Sequence, residues 1–99
     1  MAGCTGFDYG RDTIAEDAAE QTRQAIRNID AALAQAGAGL ADIVKVTTYI
    51  ADRSLVPAVL GVWGPAMRDI RPANTAIIAQ MIDARMKVEI DVTARQPDR

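Results

Sequence analysis

The 99-residue chain contains no histidine. Histidine is the side chain whose ordinary pKa lies nearest neutrality, so its absence excludes Ser-His-Asp and Cys-His catalysis and the commonest zinc and iron sites. The single cysteine, Cys4, cannot form an internal disulfide or a metal site alone, and no histidine can activate it as a nucleophile. We expect no metal site, with any chemistry left to arginine, lysine, carboxylates, tyrosine, backbone amides or ordered water.

Long apolar runs and clustered cations are missing as well. Every apolar stretch is far shorter than the roughly 20 residues that a membrane helix needs, and no signal-like segment follows Met1. The formal net charge is −2 with scattered arginine and lysine, whereas sequence-independent nucleic-acid binding needs clustered cations. We therefore expect a cytoplasmic protein without a membrane or nucleic-acid partner.

The pattern that is present begins with a glycine-containing start, predicted as a strand end and loop, followed by a helix. Thr13 is the predicted helix cap, with Glu16 at the capping-box spacing. Small and apolar residues then recur every three or four positions, and Gly37 and Gly39 are predicted to end the helix through left-handed backbone angles. The predicted inner face of this helix is Ala18, Thr22, Ala25, Ile29, Leu33 and Ala36.

Three strands and a second helix are predicted further along. The β-branched, alternating segment Ile43–Ile50 is typical of a strand, with Val44, Val46, Thr48 and Ile50 on one side. Helical spacing returns over Asp52–Met67, where Gly64 and Pro65 should end or kink the helix early. The last predicted strands are Ala73–Gln80 and Met86–Ala94. This order predicts a single α+β domain over residues 1–99, with two helices on one face of a sheet.

The last predicted strand has two unlike faces. One set of alternate residues is apolar and suits packing under the helices: Met86, Val88, Ile90, Val92 and Ala94. The opposite set is mostly charged: Lys87, Glu89, Asp91, Thr93 and Arg95. The charged set suits either a solvated outer face or a face covered by another chain, because three strands and two helices make a thin core for a monomer.

Four segments occur in a specific order: Gln21–Gly37, Leu40–Ile50, Arg71–Ala73 and Lys87–Ala94. Together they resemble the YjgF/RidA-like (Rid) family from about Gly3 to Ala94, which is nearly the whole chain. The resemblance implies a chorismate-mutase-like α+β fold of the bacillus type and a homotrimer with small-ligand clefts between subunits. It also implies no cofactor.

The best-known activity of the Rid family is hydrolysis of 2-imino or 2-enamino acids to 2-keto acids and ammonia. In that mechanism an arginine after a Pro-Ala pair binds the substrate carboxylate, and a glutamate on the final strand orients a water. The glutamate that matches is Glu89, which the resemblance assigns as catalytic. Gly3 matches a glycine near the cleft, although Ala2 stands where the family has serine.

Two departures from the family pattern affect the predicted site. Asn74 stands where active deaminases carry arginine, and loss of the charge should weaken carboxylate binding by about 30- to 1,000-fold. Thr75 is predicted to line the cleft beside Asn74, and Arg71 is a candidate to reach into it. The chain also begins near the end of the family's N-terminal hairpin, which predicts either a longer natural protein or a sheet edge that a neighbour covers.

The sequence thus leaves two main functional hypotheses. The first is an imine or enamine hydrolase of divergent specificity, acting on a small carbonyl or imino acid with Glu89 orienting water. The second is a non-catalytic small-ligand-binding or regulatory trimer that kept the fold and lost the arginine. A third, endoribonuclease activity, is disfavoured by the acidic balance and missing histidine. Tyr49, which shares a strand face with Lys45, is expected either to pack or to point into the cleft.

Overall fold

The computed structural model describes residues 4–8, 10 and 13–95. Their strands are β1 (Cys4–Thr5), β2 (Phe7–Asp8), β3 (Thr13–Ile14), β4 (Ile43–Ile50), β5 (Ala73–Ile78) and β6 (Val88–Ala94). Their α-helices are α1 (Ala18–Gln35) and α2 (Val56–Ala66). The main sheet has the order β1-β6-β4-β5; β6 is antiparallel to both neighbours and β5 is parallel to β4. The predicted α+β fold, with two helices packed on a sheet, is confirmed.

The start of α1 differs from the prediction. Thr13 pairs with Asp8 in the small β2–β3 hairpin, so its backbone is committed to strand pairing and cannot cap the helix. The cap is Asp17, whose carboxylate accepts a hydrogen bond from the Glu20 amide at 3.2 Å. The predicted Thr13 cap was therefore wrong, and the helix begins at Ala18.

The end and the inner face of α1 follow the sequence more closely. Gly37 adopts the predicted left-handed angle, with φ of 75°, whereas Gly39 is extended and precedes the 3-10 turn Leu40–Asp42. Ala36 is exposed because it lies beyond the last helical residue. The remaining predicted inner residues are buried, and Gln21 is buried among them without having been predicted.

Strand β4 covers the predicted range but contains an irregularity near its start. The pairing with β6 shifts between Ile43 and Lys45, so Ile43 turns into the core and Val44 is 47% exposed. The prediction that Val44 shares the side of Val46, Thr48 and Ile50 was therefore wrong, since those three residues are buried. Beyond the irregularity the alternation holds: Val46, Thr48 and Ile50 are all buried.

The second helix and the last two strands are shorter than predicted. Arg53–Leu55 forms a 3-10 turn before α2, and α2 runs through Pro65 to Ala66 instead of stopping at Gly64. Strand β5 ends at Ile78, two residues before Gln80. Met86 precedes β6, because its amide donates to the Asp83 carbonyl in a turn at 3.0 Å.

The core lies between the two helices and one face of the sheet. Strand β6 contributes Val88, Ile90 and Val92, each at most 1% exposed, which confirms the apolar face predicted for this strand. Helix α2 contributes Val59, Trp63 and, at its end, Met67. In the part of the chain described here, neither helix combines the length and the apolar character that crossing a membrane requires.

Candidate ligand-binding face

The side of the sheet away from the helices carries polar side chains in cross-strand rows. We call this side the polar face and define it by three rows: Thr5–Glu89–Tyr49–Ile77, Asp91–Thr47–Thr75 and Thr93–Lys45–Ala73. Side chains that are directly paired across neighbouring strands share a face and lie about 4.5–5.5 Å apart at their β-carbons. The rows therefore bring two carboxylates, a phenol and several hydroxyls onto one surface.

Glu89 occupies the middle of the first row. Strand β6 lies between β1 and β4, so Thr5 flanks Glu89 on one side and Tyr49 flanks it on the other. Glu89 is half-buried, and within residues 4–8, 10 and 13–95 its carboxylate has no hydrogen-bond or ion-pair partner. Glu20 on α1 differs, since it pairs with Arg23 at 2.8 Å and with Arg27 at 3.1 Å. The acceptor capacity of Glu89 is thus available to water or to a ligand.

Thr5 adds an unusual hydroxyl to this row. Its side chain is only 6% exposed, and its Oγ1 has no hydrogen-bond partner among the described residues. A buried hydroxyl without a partner is costly and uncommon in folded proteins. The Thr5 hydroxyl therefore lies beside Glu89 in the row, but it is too buried to meet a ligand in this arrangement.

Asn74 and Glu89 are not brought together within one chain. Asn74 pairs with Val46, a core residue, and so lies on the helix side of the sheet, opposite to Glu89. Two strand spacings and three residues of rise separate their Cα atoms by about 14 Å. A cleft that contains both side chains would have to take them from different copies of the chain.

The other predicted site residues lie in different places. Thr75 is on the polar face, paired with Thr47. Arg71 is exposed ahead of β5 and has a left-handed φ of 52°; its amide donates to the Met67 carbonyl at 3.0 Å. Gly3 lies outside the described residues. The polar face therefore unites Glu89 with Thr75, and leaves Asn74 and Arg71 at the β5 edge.

Strand β5 forms one edge of the main sheet, and no strand among the described residues pairs with its outer side. All six of its residues are exposed, including Ile77 at 41% and Ile78 at 48%. An exposed edge strand with large apolar side chains offers both unpaired backbone groups and apolar surface to a second chain.

Two amide side chains of α1 hold the N-terminal strands in place. Their role was not predicted from the sequence. Fully buried Gln21 donates through Nε2 to the carbonyls of Ala15 and Arg85, at 2.6 and 2.8 Å, and accepts from the Lys87 amide at 2.8 Å. Asn28 donates through Nδ2 to the carbonyls of Thr5 and Phe7 at 2.9 and 2.8 Å.

The two amides thereby attach two segments to α1: strand β1, and the residues Arg85 and Lys87 that precede β6. A signal for this role was present in the sequence, because Gln21 and Asn28 are seven residues apart and so share one side of α1. Gly6 fits the same arrangement: an added Cβ would lie 2.5 Å from the Gln21 Cα.

Cys4 is a poor candidate nucleophile in this setting. Burial, followed by the nearby charges of Asp91 and Glu89, raises the pKa of the thiol above its ordinary value. A raised pKa favours the protonated thiol, which is the less reactive form.

Two concavities near the start of α1 do not include Glu89 or Asn74. One, of about 300 Å³, is lined by Thr13, Ile14, Ala15, Glu16, Arg85 and Lys87. Its cations are already engaged: Arg85 pairs with Asp83 at 2.7 Å, and the Lys87 ammonium contacts the Glu16 carbonyl. The polar face remains the better candidate, because its carboxylates lack such partners.

Comparison with known proteins identifies the family to which this chain belongs. The model of the family described as endoribonuclease L-PSP matches residues 1–96, so the chain belongs to that family. A RutC family protein of Pyrococcus abyssi is 33% identical over 78 residues, covering 79% of this chain and 61% of that relative. A RutC family protein of Aquifex aeolicus is 28% identical over 96 residues, covering 95% of this chain and 77% of the relative.

Solved structures agree with this assignment. A YjgF family member from Neisseria meningitidis is similar with a TM-score of 0.89 and 27% identity, covering 100% of this chain and 79% of that one. A YjgF/YER057c/UK114 family member from Mycobacterium tuberculosis has a TM-score of 0.84 and 38% identity, covering 95% and 75%. The YjgF/Rid resemblance and the chorismate-mutase-like fold are confirmed. The chain spans only 61% and 62% of the length of the two Pyrococcus relatives that it matches.

Proposed function

We propose that this chain acts as a Rid-type homotrimer that binds a small carbonyl or imino acid in clefts between subunits. In these clefts Glu89 orients water for hydrolysis of an imine or enamine. The observation that carries the proposal is the half-buried Glu89 carboxylate, which has no partner within the described part of the chain and is flanked by the hydroxyl-bearing Thr5 and Tyr49.

Assembly of several copies is supported by two observations. Strand β5 exposes all of its residues, including Ile77 and Ile78, and so provides surface for a second chain. Asn74 and Glu89, the two positions that match the family's substrate-binding and catalytic residues, lie on opposite faces of one sheet. Contact between copies would bring an Asn74 and a Glu89 into one cleft.

The proposed chemistry needs one proton acceptor. Glu89 takes a proton from water while the water oxygen adds to the imine carbon, and the imine nitrogen takes up a proton from bulk solvent. Glu89 then returns its proton to the nitrogen of the carbinolamine, which leaves as ammonia, and the remaining hydroxyl releases its proton to solvent as it becomes the carbonyl. An enamine substrate first tautomerises to the imine by taking a proton at carbon and losing one from nitrogen.

The test is ammonia release from enzymatically generated 2-iminopropionate, measured above the spontaneous rate. We expect turnover by the wild type and its loss in Glu89→Gln, which keeps the size of the side chain and removes the base. Asp30→Asn, at an exposed position of α1, is the matched control and should retain turnover. Equal rates for wild type and Glu89→Gln would contradict the proposed role of Glu89.

A second candidate function is favoured by Asn74. Since an amide cannot supply the positive charge that a substrate carboxylate would meet, the trimer would bind a small carbonyl ligand without turning it over. Measurable binding of a keto compound, together with no ammonia release by the wild type, would favour this non-catalytic function. We do not propose ribonuclease activity, because the chain has no histidine and Glu89 and Asp91 on the polar face would repel phosphates.

A further inference from the structure

Resting on the proposed function, we infer that the preferred ligand of the polar face is an uncharged carbonyl or imino compound rather than a carboxylate. The inference comes from the charges and the Tyr49 hydroxyl that the sheet register places around Glu89. It states which class of ligand would be preferred when Asn74 replaces the family's arginine.

Within the three rows of the polar face, the charge nearest to Glu89 is the negative charge of Asp91. Asp91 follows Glu89 by two residues on β6, a rise of about 7 Å along the same face. A ligand carboxylate about 5 Å from Glu89 would be repelled strongly enough to lose roughly tenfold or more in affinity, even with partial solvent screening. The site as built therefore disfavours an anion.

The cations of the region are poorly placed to offset this repulsion. Lys45 lies in the third row, four residues along β4 from Tyr49, or about 13 Å away. Lys87 precedes Glu89 by two residues, the same spacing as Asp91 on the other side, but its ammonium contacts the Glu16 carbonyl near the start of α1. Asn74, at the position that matches the family's arginine, is neutral.

The Tyr49 hydroxyl takes the place of a cation beside Glu89. Tyr49 is the direct cross-strand neighbour of Glu89, is half-buried, and has no hydrogen-bond partner within the described residues. A phenol donates a hydrogen bond to a neutral carbonyl or imine, and polarises it toward attack by the water that Glu89 holds.

The test compares pyruvate with methyl pyruvate. Both compounds contain the same ketone, but pyruvate carries a negative carboxylate and methyl pyruvate a neutral ester. Binding to the assembled wild-type protein is measured by calorimetry at low and high salt. We expect methyl pyruvate to bind at least tenfold tighter, with a smaller preference at high salt because screening reduces the repulsion of pyruvate. Tighter or equal binding of pyruvate would overturn the inference while leaving the proposed function in place.

Two variants test the named groups. Glu89→Gln should strengthen pyruvate binding several-fold with little effect on methyl pyruvate, because it removes only the repelling charge. Tyr49→Phe should weaken methyl pyruvate binding about fivefold or more, with circular dichroism and the melting temperature serving as the check on folding. Unchanged pyruvate affinity in Glu89→Gln, or unchanged ester affinity in Tyr49→Phe, would overturn the roles assigned here. Binding of neither compound, with no release of ammonia, would overturn both this inference and the proposed function.

Discussion

Asn74 and Glu89 lie on opposite faces of the same four-stranded sheet, in register with Val46 and Tyr49 respectively. Their separation of about 14 Å follows from strand spacing and rise alone, so no side-chain rotamer can close it. Under the proposed function, these two positions, which match the family's ligand-binding and catalytic residues, would form two half-sites on one chain. The proposed activity depends on how two copies of the chain would bring these positions together.

The exposed edge strand gives the first prediction. Ile77→Lys places a charge on the strand that we propose another copy contacts, and should shift the protein from oligomer to monomer in sedimentation velocity. Leu60→Lys on α2 is the matched control, since Leu60 and Ile77 are similarly exposed, at 39% and 41%. Leu60→Lys should leave the sedimentation profile unchanged. An oligomer that survives Ile77→Lys would rule out this strand as the contact.

Gln21 gives the second prediction. Gln21→Ala removes three hydrogen bonds at a fully buried position and leaves two carbonyls and an amide without partners. We expect the free energy of unfolding to fall by about 2–4 kcal/mol in urea titration. Gln35→Ala, at the exposed last residue of α1, should change it by less than about 0.5 kcal/mol. Similar values for the two variants would contradict the bracing role of Gln21.

Two glycines give the third prediction, because replacing each with alanine should change the stability in opposite directions. In Gly6→Ala the new Cβ would lie 2.5 Å from the Gln21 Cα, so the backbone must shift and the protein should lose about 1–3 kcal/mol of stability. In Gly61→Ala, inside α2, the new Cβ meets nothing within 4 Å, so the variant should gain about 0.5–1 kcal/mol. Thermal unfolding of both variants beside the wild type checks the signs.

The sequence predicts those features that depend on local periodicity. Most of the inner residues of α1 and the buried residues Val88, Ile90 and Val92 of β6 were predicted correctly, because each depends only on spacing along one element. The Thr13 cap failed because the same residue was needed for pairing with Asp8, which no local pattern reveals. The burial of Ile43 was also not predicted, because it results from a shift in the pairing of β4 with β6.

Less of the candidate site than of the fold could be predicted from the sequence. Glu89 was assigned through family resemblance, and its flanking by Thr5 and Tyr49 required the strand order β1-β6-β4. The same order, with β5 parallel beyond β4, is what separates Asn74 from Glu89. Non-local pairing of this kind cannot be derived from periodicity.

The most direct test of the account is a mixing experiment with two variants that are inactive alone. Glu89→Gln lacks the base, and Asn74→Glu should block the other half-site by charge repulsion. If each cleft takes Glu89 from one copy and Asn74 from another, refolding an equal mixture into random trimers leaves about a quarter of the clefts with both native residues. The account predicts recovery of about a quarter of wild-type ammonia release from 2-iminopropionate, whereas a mixture as inactive as its two parents would contradict it.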